Sequence, residues 1–446
     1  MTELLDLART VAGWAGAGEE VEVFASRERT TEVRAYHGDV ESISSAEPAG
    51  VGIRVVVAGR QGFASAGTLD ETVLKETLED ARDNAAFAAP DDWVGVALPD
   101  DVQAPDIELW RESLASMATA AKVEMAIDLE RRVLGADPRI TGVRSAMYGD
   151  AMAESAVVTT SGIASAWRLS LCYVVVDALA EAGGDTQTSH GLSVARVPGD
   201  LDLEAAASDA IIRTTRLLGA TKPDSRRVTV VLDPEVTSSF LSVLGSTLSG
   251  EAVLKGRSLF ANRIGEEVAA SGVTLIDDPS DPSAFGAEPY DGEGLARRRT
   301  VLVEQGLLRR FLYNTYAARR AGATSTASAS RDYRSAPAVA PGALALDGGA
   351  GTQAELIAGI DEGVYVQSVS GLHSGVNPVS GDFSVGATGL RIRNGSLAEP
   401  FREATIASTL QRMLKDVAAI GADRRWMPGN AAGATLVVND VSLGGT

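Results

Sequence analysis

Cysteine and histidine are both scarce in this chain, and each scarcity removes a class of chemistry. A single cysteine, Cys172, excludes an intrachain disulfide and any cysteine-built zinc cluster. Its position in the middle of a strand-like stretch, with no histidine close in sequence, reads as a buried structural thiol rather than a nucleophile. The three histidines, His37, His190 and His373, are far apart, and none belongs to an H-E-x-x-H helix, the arrangement that sets two imidazoles and a carboxylate on one face for a zincin. No metal ligand is therefore assigned in this chain. No apolar run reaches the roughly 18 residues of a membrane helix. The opening stretch MTELLDLARTVAGWAGAGEE lacks the basic segment and long apolar core of a secretory signal, so a cytoplasmic location is expected. Basic residues are outnumbered 40 to 60, leaving a formal charge of −20. Such a surface repels phosphate backbones and anionic lipid, so neither nucleic acid nor membrane is expected as a partner.

What is present is apolar material for two or three cores, 45% of 446 residues, since single cores stop growing near roughly 250–300 residues. The patterning divides the chain into three blocks: 1–90, 107–225 and 226–446. The first opens with an amphipathic helix bearing Leu4, Leu5, Leu7, Ala8, Val11 and Ala12. Extended segments and a hairpin at 51–66 follow, then a helix that Thr68 and Glu71 cap reciprocally, with Leu69, Val73, Leu74, Leu78 and Ala81 as its stripe. The Ala-, Asp- and Pro-rich stretch 86–106 reads as a linker. The second block reads as a helix over 110–135, strands near 139–148, 154–161 and 165–178, and a helix near 203–218. In the third strand Leu169, Leu171, Tyr173 and Val175 alternate with Arg168, Ser170, Cys172 and Val174. The third block starts with a strand running into Asp233-Pro234, an N-cap and first-turn pair that predicts a helix. Short strands and Gly-rich turns then dominate, including a hairpin around Glu304-Gln305-Gly306, and a last helix is expected near 403–420. Clustered strands with helices at the block edges predict an α+β fold: N-terminal α+β domains followed by an antiparallel, barrel-like β-rich C-terminal domain.

The search for reactive groups is mostly negative. There is no G-x-S-x-G elbow. The run Gly348 to Thr352 lacks the lysine of a phosphate loop and reads as a loop opening a short helix. Arg297, Arg298 and Arg299 read as a solvated or salt-bridged edge. The polar stretch SGLHSGVNPVSGDFSVG at 370–386 gathers His373, Asn377, Asp382 and Ser384 among four glycines. Two readings of it stay open: groups that orient a bound peptide or meet another subunit, and a tight loop whose side chains cap its own backbone.

Several longer stretches resemble the TldD/PmbA peptidase family, known as peptidase U62. They are VVLDPEVTSSFLSVL, SGEAVLKGRSLFANRIGE, the segment from DDPSDPSAFG to NTYAARRAG, and GLHSGVNPVSGDFSVGATGLRIRNG; upstream, ESISSAEPAGVGIRVVVAGRQGFASAGTLDE matches as well. The 371–387 stretch is most similar to the TldE/PmbA branch. The resemblance covers nearly the whole chain and implies a peptidase built from a TldD-type and a TldE-type subunit acting on unfolded or short peptides. In TldD-type chains the helix after the opening strand of the third block carries H-E-x-x-x-H, and a cysteine near the C-terminus completes a zinc site. Matching the flanks places those positions at Leu241, Ser242 and Ser246, none of which can serve as zinc ligand or base. The resemblance thus implies a subunit with no cofactor of its own, zinc in a TldD-like partner, and His373, Asn377, Asp382 and Ser384 near substrate or partner. A peptide-binding scaffold or homodimer without catalysis, and a stand-alone non-metal hydrolase, remain as alternatives.

Overall fold

The computed structural model describes residues 2–446. Helix α1 (Thr2–Ala12) leads into a seven-stranded sheet formed by β1 (Glu20–Tyr36), β2 (Asp39–Ala46), β3 (Ala49–Val57), β4 (Arg60–Ala66), β5 (Ile140–Thr159), β6 (Ala164–Ala182) and β7 (Asp185–Ala195). The order is β4-β3-β1-β5-β6-β7, with β2 on the far half of β1, and every pairing is antiparallel. Strands β1 and β5 pair from Glu22↔Thr159 to Ala35↔Ala146, so the first two blocks share one sheet. The stretches read as strands 139–148 and 154–161 are the single strand β5, because β1 supplies a paired neighbour from 146 to 159 and so spans the gap between them.

One face of this sheet carries the helices. Odd-numbered β1 residues Val21, Val23 and Ala25 pack on α1 and on α2 (Glu71–Phe87), while Val33 and Ala35 pack among the helices of the middle block. Those are α3 (Glu112–Ala115), α4 (Thr119–Val133) and α5 (Leu203–Thr215), so the helix expected over 110–135 is broken at 116–118. The N-cap of α2 is Asp70, not Thr68: its carboxylate accepts from the N–H groups of Thr72 (2.9 Å) and Val73 (3.2 Å), while Thr68 Oγ accepts from Asp70 N at 3.2 Å. A carboxylate two residues closer to the helix serves those free amides directly. Val73 of the expected stripe faces solvent. In β6 the deeper side is Cys172, Val174, Val176 and Ala178, all fully buried. Leu171, Tyr173 and Val175 lie on the other, half-buried side. The two sides differ because only the first is covered by α4 and α5.

The C-terminal block closes into a barrel. Strand β8 (Arg226–Leu232) lies between strands Glu362–Ser370 and Leu436–Gly444, strand Asp382–Arg393 pairs Glu362–Ser370, and strand Ser396–Thr409 pairs both Asp382–Arg393 and Leu436–Gly444. The ring is antiparallel except where β8 runs parallel to Glu362–Ser370. The helix expected over 403–420 is confined to Leu410–Lys415. Residues before it complete the barrel strand Ser396–Thr409, and Val417–Ile420 pairs with 436–438. Here the hydrogen-bond partners supplied by neighbouring strands outweigh local helix preference. The hairpin at 300–308 forms with Gln305-Gly306 as its turn. Thr352 and Glu355 make a reciprocal cap for Gln353–Ala358, the short helix expected after the Gly-rich run.

A buried ion cluster joins the barrel block to the sheet. On the face opposite α1 and α2, the Glu22 carboxylate accepts two hydrogen bonds from Arg54 (3.0 and 2.7 Å) and one from Arg331. Arg54 Nη2 stands 3.6 Å from Glu293 Oε1, and both of these side chains are almost fully buried. Two guanidiniums thus face two carboxylates across the junction. Removing one member leaves an uncompensated buried charge, which typically costs about 3–5 kcal/mol. Glu22→Ala is therefore expected to lower the unfolding free energy, read from denaturant titration, by an amount in that range. A loss below about 1 kcal/mol, the scale of a surface ion pair, would show that the cluster does not hold the two bodies together.

Candidate functional site

Helix α6 (Pro234–Thr247) grows directly out of β8 and is the part of the fold where the resemblance locates metal chemistry. Asp233 caps it, its Oδ1 accepting from Glu235 N at 2.9 Å, and Pro234 occupies the first turn, as the sequence predicts. The helix packs on the barrel core: Val236, Phe240, Leu241, Leu244 and Leu248 are buried, and Phe240 meets Phe383 edge to face at 6.1 Å. Gly245 lets Leu344 and Pro341 approach, since a Cβ there would stand 3.0 Å from each. The three positions in question do not fit a zinc ion. Leu241 is 1% exposed and belongs to the core. Ser242 Oγ donates to Ser238 O at 3.0 Å, and Ser246 Oγ donates to Val243 O at 2.7 Å, so both hydroxyls are turned onto their own helix. Among the described residues no group of three or more His, Cys, Asp or Glu is arranged to hold a metal ion. No step is derived through one.

The polar chemistry near α6 lies at its N-terminus, where the middle block docks. Arg213 of α5 donates to Asp233 (2.8 Å), to Glu235 (2.8 Å) and to Gln367 O (3.1 Å). Tyr365 OH also donates to Asp233, and Gln367 Nε2 returns a bond to Arg213 O at 2.9 Å. His190 of β7 places Nε2 3.4 Å from Glu235 Oε1. This contact raises the His190 imidazole above its usual value, against the opposing effect of burial; Arg213 works against it and Asp177 for it. Burial alone would push the Glu235 carboxyl up, but the His190 hydrogen bond and the Arg213 charge outweigh it and hold the group low. The sequence reading missed this cluster: its members come from β7, α5, β8–α6 and the strand at 362–370, and no local motif contains them.

The 371–386 segment sits at the end of the barrel beside α6. His373 lies exposed in the single turn Leu372–Gly375. Asn377 Oδ1 accepts from Val379 N (2.9 Å) and Ser380 N (3.2 Å), and Asp382 Oδ2 accepts from Ser380 Oγ at 2.7 Å. Ser384 is exposed on the strand beginning at Asp382. Asn377 and Asp382 are thus tied into one turn, since Asn377 N also donates to Asp382 O at 2.9 Å. Gly375 is required there, because a Cβ would stand 2.0 Å from Ser384 O. The local capping reading describes Asn377 and Asp382, while His373 and Ser384 present their side chains at the surface.

The remaining candidates resolve as structural. Cys172 is fully buried, its Sγ 3.4 Å from Ala195 O, and burial pushes its thiol up to about 12. His37 stands at the tip of the β1–β2 hairpin with a positive φ of 56°, its N–H held by Glu130 at 2.7 Å. The arginine run is salt-bridged throughout, Arg297 to Glu288, Arg298 to Asp100 and Arg299 to Asp347, but Arg297 is buried rather than solvated. Glu293 of the ion cluster and its neighbour Asp291 are pushed up by burial to about 7 and about 6.

A closed barrel, a helix running off its first strand into the core, and a shared sheet joined to it by α5 define the α+β architecture of this chain, in which α6 is filled by packing residues. Models of the PmbA/TldA metallopeptidase domain 1, central domain and C-terminal domain match residues 21–85, 112–218 and 225–445. The chain belongs to the PmbA/TldD metallopeptidase family. It is 26% identical over 416 residues to the metalloprotease PmbA of Escherichia coli O157:H7, covering 92% of this chain and 88% of that one. It is 28% identical over 424 residues to a metalloprotease of Methanothermobacter thermautotrophicus, covering 91% and 89%. The crystal structure of TldE from Thermococcus kodakarensis shares the fold, with a TM-score of 0.90, 22% identity and 99% coverage of both chains. Among the described residues no helix is long and apolar enough to cross a membrane.

The His190–Glu235 contact makes a pH-dependent prediction. A histidine whose folded value is raised stabilises the fold fully below its unfolded value of 6.5, and the contribution is lost as pH rises through the folded value. The stability difference between the protein and His190→Asn is therefore expected to shrink as pH rises above 6.5. Glu235→Gln is expected to lower the His190 titration midpoint read by NMR. An unchanged midpoint in that variant would remove Glu235 as the cause.

Proposed function

We propose that this chain is the TldE/PmbA-like subunit of a heteromeric peptidase that processes unfolded or short peptides, with zinc and the catalytic groups supplied by a TldD-like partner. The observation that carries this reading is the occupancy of α6: the positions that would grip zinc in the sister chain hold a core leucine and two serines whose hydroxyls are turned onto the helix backbone. Leu241 there contributes to barrel packing, and truncating such a side chain typically costs about 2–5 kcal/mol. A helix given over to packing suits a wall of a two-chain chamber. Such a chamber holds an extended peptide by its backbone and excludes folded proteins by closure. The exposure of His373 and Ser384 at the barrel end supports assigning them to contact with peptide or partner, with Asn377 and Asp382 holding their turn. A cytoplasmic setting accords with the single buried thiol.

Co-purification with the TldD-like chain, followed by metal analysis and peptide cleavage by each chain alone and by both together, tests the reading. The expected result is chelator-sensitive cleavage by the pair and no stoichiometric zinc in this chain by itself. Tightly held zinc together with chelator-sensitive cleavage in the isolated chain would overturn it. With fold and pairing intact, the His373→Ala/Asp382→Ala double variant is expected to reduce cleavage by the pair at least about tenfold, equivalent to about 1.4 kcal/mol. Unchanged turnover would take the 371–386 segment out of the mechanism.

A further inference from the structure

The buried arginines Arg54, Arg213 and Arg297 each pair with a carboxylate, whereas two half-buried arginines at the seam between the sheet and the barrel block are held by neutral carbonyls. Arg196, just beyond β7, donates to Ser170 O at 3.1 Å and across the seam to Ala284 O at 2.8 Å and Phe285 O at 3.4 Å. Arg111 donates to the carbonyls of Glu108 (2.9 Å) and Trp110 (3.0 Å) in its own loop. One residue of β6 sets both: Ser170 Oγ accepts from Arg111 N at 2.9 Å, and its carbonyl takes Arg196. All these partners are neutral carbonyls, and among the described residues neither guanidinium is in ion-pair contact with a carboxylate. Burial and then the like charge of Arg111 both lower the Arg196 value, with no acidic group offsetting them. Both arginines line a cavity of about 280 Å³ whose other walls include Leu171, Val194, Phe285 and Trp426. Asp200, on the same cavity, is exposed and pairs with neither.

We propose that this cavity is a carboxylate subsite, in which Arg111 and Arg196 hold the C-terminal carboxylate of a peptide while its last side chain rests against Leu171, Val194, Phe285 and Trp426. Two half-buried like charges repel each other, and an anion between them converts that repulsion into charge-assisted hydrogen bonds, the strong kind for a guanidinium. A carboxylate suits the planar fork, and the apolar walls suit the side chain that an α-carboxylate carries beside it. Leu171 and Val194 belong to the half-buried side of the sheet, so the subsite lies where the uncovered face of β6 and β7 meets the barrel block. The identity of the carboxylate's carrier rests on the peptide-processing reading above; the existence of the anion subsite does not.

Isothermal titration of the full chain by itself tests this with acetyl-Leu-Leu as the free acid, the same peptide as its C-terminal amide, acetyl-Glu-Leu amide, and inorganic phosphate. The free acid is expected to bind at least tenfold more tightly than either amide and than phosphate. Arg111→Gln, which breaks only bonds within its own loop, and Arg196→Lys, which keeps the charge but loses the fork, are each expected to weaken it at least fivefold with circular dichroism unchanged. Equal binding of acid and plain amide, or no effect of Arg111→Gln, would overturn the proposal. Equal binding of acetyl-Glu-Leu amide or of phosphate would overturn the assignment to a chain terminus. Because the assay involves neither cleavage nor a partner, acid-selective binding alongside an inactive reconstituted pair would remove the subunit reading alone. An active pair without acid selectivity would remove this subsite alone.

Discussion

The molecule hangs on a desolvated charge balance. Glu22 of β1, Arg54 of β3, and Arg331 and Glu293 of the barrel block meet where water is excluded, and each is tolerable there only because the others are present. Such a group gives less net stability than its Coulomb attraction suggests, because taking four charges out of water is expensive. What it gives is position: the sheet and the barrel block can meet in one register, the one that satisfies all four. The raised Glu293 and Asp291 carboxyls record the residual cost of burial at that junction.

A second charged joint, Arg213 with Asp233 and Glu235, does the same on the other side of the barrel block. It is built on a helix cap, so the residue that starts α6 also receives α5. The two joints leave one side of β6 and β7 between them half-buried, carrying Leu171, Tyr173, Val175 and Leu192. The family fold is retained in full, and positions 241, 242 and 246 serve the core and their own helix.

Much of the local structure was legible. Asp233-Pro234 marked the start of α6, Gln305-Gly306 marked a hairpin, Thr352 opened its short helix, and Cys172 read as a buried thiol, because each depends on groups within a few residues. The misreadings share one cause. The helix expected over 403–420 is mostly strand, and the two strands expected between 139 and 161 are one, because partners distant in sequence supplied the hydrogen bonds. The face of β6 that is buried deepest could not be told from alternation, since both faces carry apolar residues and α4 and α5 decide which is covered.

By itself the sequence determined the class of fold and the family, because those reside in composition, periodicity and the identity of single side chains. Only the tertiary structure decided which residues meet. The Glu22–Arg54–Arg331–Glu293 cluster, the Arg213 joint with His190, and the Arg111–Arg196 pair each join groups from at least two separate stretches of chain. Charge acts through space and is strengthened by burial, and neither proximity nor burial is written in any local run of residues.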